Sequence, residues 1–465
     1  MSGTETGESA DGRPPVSVFN RRLLLAGAGM AAVAAAGIAV LDVFDSGQDG
    51  QTGQRQQAIP VRTGLTVIQD PNEPARTVLA QFQHGHGFQD EGGAAQVMDD
   101  TADHVIGGQS VYIETQGRGI QAIVSKPSAL ATGFDMRGKV FAVLIKVTNA
   151  IHLTKLSFIA GSAGFKNYFQ FMIQASPTIP SQEIFPEGNW SWVTIPWVAG
   201  SSGNPDRADI TDLRLTATDD NSGKRVKVQI QAIAAQAERP KAFPNGVVSI
   251  SFDDCWGSQG TLGLPYLDKN GFRPTIYTIV DQVGRPGRLS LSQLQAIEDK
   301  GGEVAAHAWT AANHNAGFTN LSADELDEEL SKTKSWLLDK KFRGADLFAY
   351  PLGEFDSAVL NAASNYYKFA RTLNNRQEET LPPGAPYTGR AQSSTNTVTL
   401  SHLKDRIDSC QVNGTWLNLV FHDITSGIPS ASVQIADTTF YAAIDYLSHK
   451  GIPVQTTSEI LEMSL

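Results

Sequence analysis

From Val247 onward the chain alternates short apolar runs with helical patterns, and this alternation limits its fold more than any other feature. The runs are VVSISF (247–252), RPTIYTIV (273–280), GEVAAH (302–307), DLFAYP (346–351), KFARTL (368–373), WLNLVFH (416–422) and IPVQTT (452–457). Helical patterns near Ser258–Asn270, Ser290–Lys300 and 321–341 separate them, and Ser322 with Glu325 forms a capping-box signature. Near-continuous apolar strands are buried on both faces, as strands of a parallel sheet are, and parallel neighbours need crossovers of helical length. The roughly 220-residue region is long enough for a barrel of seven or eight βα units.

Before Ala237 the grammar differs. SVYIET (110–115), KVFAVLIKV (139–147), YFQFMI (168–173), WVTIPW (192–197), DLRLTAT (212–218) and RVKVQIQAIA (225–234) alternate in polarity between Gly, Ser, Asn and Asp turns. No helical pattern interrupts them, which predicts a two-sheet sandwich or jelly roll. AERPKAFPNG (237–246) reads as the junction, so the expected domains are 60–240 and 241–465. At 465 residues, two domains are also the expectation from length.

Residues 1–59 read as a leader. Arg21 and Arg22 precede an uncharged Gly/Ala-rich stretch from Leu23 to Leu41, resembling a bacterial twin-arginine export signal. No clear small-residue cleavage site follows, so residues 23–41 are alternatively a retained membrane anchor; residues 45–57 are a polar linker. A net charge of −11 and the lack of a basic stripe argue against nucleic acid as a partner. The two cysteines, Cys255 and Cys410, are expected as buried free thiols.

The chemistry-bearing residues fall at the C-terminal ends of the later strands: Asp253 and Asp254, His307, Arg371 and His422. In a parallel barrel those ends converge on one face, where active sites are built. Trp190, Trp192 and Trp197 in the sandwich read either as a sugar-stacking platform or as core. His84 and His86 read as a loop.

In order along the chain, SFDD, HAWTAANH, YPLGEFD, ART and VFHD resemble the motifs of polysaccharide deacetylases of carbohydrate esterase family four. The resemblance spans roughly residues 245–460. It implies a distorted (β/α) barrel and metal-dependent removal of acetyl groups from an acetylated glycan. It makes Asp253 the general base, Asp254 and His307 metal ligands, and His422 the general acid, with the Leu352 backbone N–H facing the oxyanion. The implied ion is zinc, with cobalt or nickel compatible with the same donors. Two motifs depart from the family. The second has Ala311 where a histidine is expected, which makes His314 the third ligand, with Asn313 or water as the alternative. The third has Ala349 and no arginine, so Arg371 either replaces it from the neighbouring strand or makes a structural ion pair. The expected protein is therefore an exported deacetylase with no protein partner. The alternatives are a related C–N hydrolase of a small amide or imide, and an inactive glycan-binding surface protein.

Overall fold

A computed structural model describes residues 75–93, 96–174, 188–198, 200–238, 242–373 and 378–464. The expected leader and linker lie outside the described residues.

The strands between Arg76 and Ala237 form two antiparallel sheets. One runs in the order Gln96–Asp100, Ser110–Glu114, Lys227–Ala237, Lys139–Thr148 and Ser191–Ile195, with Arg76–Gln81 also paired to Lys227–Ala237. The other runs Gln89–Gly92, Ala122–Lys126, Asp212–Asp219, Leu153–Ser162, Asn167–Gln174. Alternate residues point inward and share one core that includes Phe141, Phe158, Phe171 and Trp197. This is the expected sandwich. The Leu153–Ser162 strand was not legible in the sequence, because LTKLSFIAGS breaks the polarity alternation with consecutive apolar residues.

The third sheet is wholly parallel and has seven strands. Its order is Phe369–Arg371, Gly344–Ala349, Glu303–Ala308, Thr275–Ile279, Val247–Asp253, Trp416–Phe421, Gln392–Ser393. Helices Leu291–Asp299, Ala323–Asp339, Ser357–Tyr366, Leu400–Asn413 and Asp437–Lys450 connect or flank these strands. The first two start with capping boxes at Ser290/Gln293 and Ser322/Glu325. The expected strand at 452–457 is reduced to a single bridge between Val248 and Val454. Pro453 has no N–H, so the segment pairs only where its carbonyl accepts from Val248 and Gln455 donates back.

The sheet is strongly curled. Arg371, on the edge strand, donates a hydrogen bond to Asp253 four strands away. Four strand spacings in a flat sheet would separate them by about 19 Å, beyond the reach of an arginine. Curling brings the strand ends around one cavity.

The sandwich and barrel lie in one compact unit, Ala58–Leu465, and meet through buried polar contacts. Arg390 donates to the Thr194 carbonyl at 2.6 Å and pairs with Glu379 at 3.2 Å. The Thr194 and Thr380 hydroxyls are 2.7 Å apart. Gly384 packs so close to Thr194 that an added Cβ would lie 2.0 Å from its methyl, so only glycine fits there.

Candidate active site

The Val247–Asp253 strand ends in an abrupt turn. Asp254 and Cys255 have φ of 68° and 56°, a left-handed conformation that costs a non-glycine residue about 1–3 kcal/mol. Without that turn, strand alternation would send the two aspartates to opposite faces. With it, both carboxylates reach the same cavity of about 200 Å³, which His307, His314, Leu352 and His422 also line. The turn is held from several sides. The Asp254 N–H donates to the Tyr277 carbonyl at 3.1 Å. Arg288, stacked 3.7 Å from the Trp256 ring, donates to the Asp254 carbonyl at 2.9 Å.

Asp254, His307 and His314 converge. Each imidazole Nε2 lies 3.5 Å from Asp254 Oδ1, and the two Nε2 atoms are 3.0 Å apart. His307 Nδ1 is 2.8 Å from the Ala349 carbonyl, which can only accept, so the ring proton sits on Nδ1. His314 Nδ1 faces Asn315 Oδ1 at 3.0 Å and is protonated for the same reason. Both Nε2 atoms are then bare lone pairs, pointing at each other and at a carboxylate oxygen. Asp254 Oδ2 accepts from Trp256 Nε1 at 3.1 Å, while buried Oδ1 has no hydrogen-bond partner. Three unshared lone pairs around one point repel unless a cation lies between them. One carboxylate and two imidazoles are a donor set that suits a divalent transition metal, so these residues fit the ion expected from the sequence. Burial, and after it the neighbouring His314, push the His307 pKa down to about 4, which keeps the ring neutral and able to bind.

The unusual spacing of the two histidines has a local cause. His314 is not on the loop after the strand but on a short helix, Ala311–Ala316, capped by Thr310. Buried Glu329 accepts from the backbone N–H groups of Trp309 and Thr310 at 2.7 and 3.1 Å. It also accepts from the Asn313 amide at 2.8 Å, so that amide is engaged away from the metal donors.

Asp253 belongs to a second group. Its Oδ1 accepts from Arg371, and its Oδ2 lies 3.7 Å from His422 Nε2. Arg371 is the register partner of Ala349 on the adjacent strand, and its guanidinium lies 4.3 Å from the Tyr277 ring centre. Burial alone would raise the Asp253 carboxyl. The positive charge of Arg371 and its hydrogen bond outweigh burial and hold the carboxyl below its ordinary value. Leu352 sits at the cavity mouth, half exposed, with φ of 60°. A bulky residue in that conformation marks a strained turn beside the site.

Residues 241–368 match the family described as polysaccharide deacetylase. No curated protein sequence matches the chain. Among solved structures it is similar to the Xyl-CE4 domain of a multidomain xylanase from the hindgut metagenome of Trinervitermes trinervoides. The identity there is 20%, over 47% of this chain and 90% of the other, with a TM-score of 0.33. A family 4 acetyl xylan esterase from Clostridium thermocellum, in complex with a cobalt ion, matches at 17% identity over 47% and 91%, TM-score 0.33. A family pseudoenzyme from Bacillus anthracis matches at 18% identity over 47% and 66%, TM-score 0.31.

In the barrel the structure brings together Asp253, Asp254, His307, His314, Arg371, Leu352 and His422. It does not bring the tryptophans there. Trp190 and Trp197 are buried in the sandwich, with their indole N–H groups donating to Asp103 and to the Lys139 carbonyl. Arg76 lies over the Trp192 ring at 4.5 Å. The expected stacking platform is therefore corrected: two rings are interior, and the third is covered by a guanidinium. His86 pairs with Asp99 at 3.1 Å, away from the cavity. Cys255 and Cys410 are free and buried, and burial raises both thiols to about 12, which leaves them unreactive.

Sequence reasoning missed Gln259. Its buried amide donates to the carbonyls of Asp253 and His422, at 2.6 and 3.0 Å, joining the two strand ends. It also missed Trp256 and Arg288, which hold Asp254. These residues follow the aspartates by only a few positions or lie on another loop, and nothing in their spacing signals a role.

Proposed function

We propose that the protein is an exported, divalent-metal-dependent hydrolase that removes acetyl groups, chiefly N-acetyl, from a polysaccharide. The observation that carries this reading is the pair of bare imidazole nitrogens facing Asp254 Oδ1, beside Asp253 and His422 in one cavity. The family match over residues 241–368 supports the same chemistry. The twin-arginine pattern at Arg21 and Arg22 supports export.

Asp254, His307 and His314 would hold the ion, with zinc as the proposed metal. Bound there, a divalent ion supplies Lewis-acid activation of water and of the acetyl carbonyl. The chain's own residues do the rest. Asp253, kept ionised by Arg371, takes the proton from the attacking water. His422, across the cavity, protonates the departing amine. The Leu352 backbone N–H would donate to the developing oxyanion. Tyr350 and Leu373 add apolar surface to the wall, which shields the reacting groups from bulk water.

The test is acetate release from a panel of acetylated glycans, with zinc supplied and then chelated. Release that stops on chelation and returns with zinc is expected. Release that survives complete chelation would overturn the mechanism. No release from any glycan, with hydrolysis of a small amide instead, would transfer the site to the alternative hydrolase.

A further inference from the structure

A second and larger cavity lies between the sandwich and the barrel, with a volume of about 850 Å³. Gln170, Met172 and Trp197 form its sandwich side, and His402, Ser409 and Asn413 are on its barrel side. Ser393 and Thr395 line this cleft and also the active-site cavity, so the two share a wall. The size falls in the range of about 300–1,000 Å³ typical of ligand sites, and domain interfaces are where such sites concentrate.

The lining identifies the ligand. Its charged pair, Arg406 and Glu378, is closed on itself at 2.9 Å, so the cleft presents no net charge. The remaining polar groups are hydroxyls, amides and one imidazole, the donors and acceptors that match a neutral polyhydroxylated chain. Partly exposed Met172, Val198 and Val398 add apolar surface beside them, as sugar rings require. The walls are also fixed in advance. Arg390, Thr194, Thr380 and Gly384 lock the two domains together, so binding need not order the cleft.

We propose that this cleft binds the non-reacting sugars of the glycan whose acetyl group enters the catalytic cavity, and so makes the protein selective for uncharged polymers over short fragments. The proposal rests on the deacetylase reading.

The experiment uses the full chain. Calorimetry on the chelated protein compares dimers and hexamers of β-1,4-linked N-acetylglucosamine and of acetylated xylose. Acetate release by the zinc-loaded protein is measured on the same compounds. One hexamer is expected to bind at least tenfold more tightly than its dimer. Gln170→Trp and Ser409→Trp, which fill the cleft from opposite walls, should abolish that preference and leave acetate release from the dimer unchanged. Thr397→Trp, at an exposed position on the rim, serves as a second variant if either fails to fold. Equal binding of dimer and hexamer, no binding of either hexamer, or an undiminished preference in folded variants would overturn the proposal. Acetate release without length dependence would remove the cleft and keep the deacetylase. Length-dependent binding with no acetate release would keep the cleft and remove the deacetylase.

Discussion

Asp219 in the sandwich and Asp254 in the barrel are both buried aspartates at turns, yet their oxygens are used differently. Asp219 accepts three backbone N–H bonds, from Gly117 and Gly119 at 2.6 Å each and from Asn221 at 3.0 Å. Asp212, nearby in the same fold, accepts from Ser128, Phe165 and Thr211. Their hydrogen-bonding capacity is consumed in pinning loops. At the barrel rim, Asp254 Oδ1 is buried with no hydrogen-bond partner and lies 3.5 Å from Nε2 of both His307 and His314. Buried polar atoms are nearly always paired, so an unpaired oxygen that converges with two imidazole nitrogens marks chemistry rather than architecture.

The largest expected effect comes from removing a converging donor. Asp254→Ala and His307→Ala should each lose bound zinc and reduce acetate release by more than the roughly 10–100-fold typical of losing a supporting residue. Metal analysis of the purified variants, together with the acetate assay, checks both.

Arg371→Met comes next. It leaves the Asp253 carboxylate buried without its cation, a change that costs about 3–5 kcal/mol in comparable sites. Asp253 has a lowered pKa in the folded protein. Its ionisation therefore contributes stability above the ordinary carboxylate range, and that contribution disappears as pH falls through the folded value. In the variant the carboxyl rises, so the acid limb of the rate profile should move to higher pH. Arg371→Lys should move it less. Denaturant unfolding and pH–rate profiles measure the two effects. A purely structural ion pair would change the first and not the second.

Asp219→Ala should cost about 1–3 kcal/mol by leaving backbone donors unpaired, while kcat stays at the parent value. The smallest effect on function is expected from Trp192→Ala, which removes a half-buried ring packed beside Leu144, Trp190 and Ala232 and under Arg76, and should leave glycan binding unchanged. If Trp192→Ala weakened glycan binding, the sandwich would recognise sugar through its surface rather than through the cleft.

Much of the barrel was legible in the sequence because buried parallel strands read as unbroken apolar runs, and polar residues ending such runs stand out. Asp253, Asp254, His307 and His422 were found that way. His314 needed the resemblance, since the helix Ala311–Ala316 changes the spacing and has no strong pattern of its own. The meeting of Arg371 with Asp253 depends on the curl of the sheet, a property of all its strands together. The left-handed turn at Asp254 and Cys255 has no sequence signature and is seen only in the backbone. The hydrogen bond from Gln259 to the His422 carbonyl and the wall shared through Ser393 and Thr395 are long-range contacts with no local signature. The tryptophans misled for a simpler reason: an indole serves a core as well as a sugar, and polarity alternation does not say which face is covered.

The central claim is that Asp254, His307 and His314 hold one divalent ion. Anomalous diffraction from crystals grown with zinc tests it most directly. The account predicts a single strong peak bonded to Asp254 Oδ1 and to Nε2 of both histidines, at the about 2.0–2.2 Å usual for zinc. A peak elsewhere, a peak that leaves out His314, or an empty cluster at saturating zinc would contradict it.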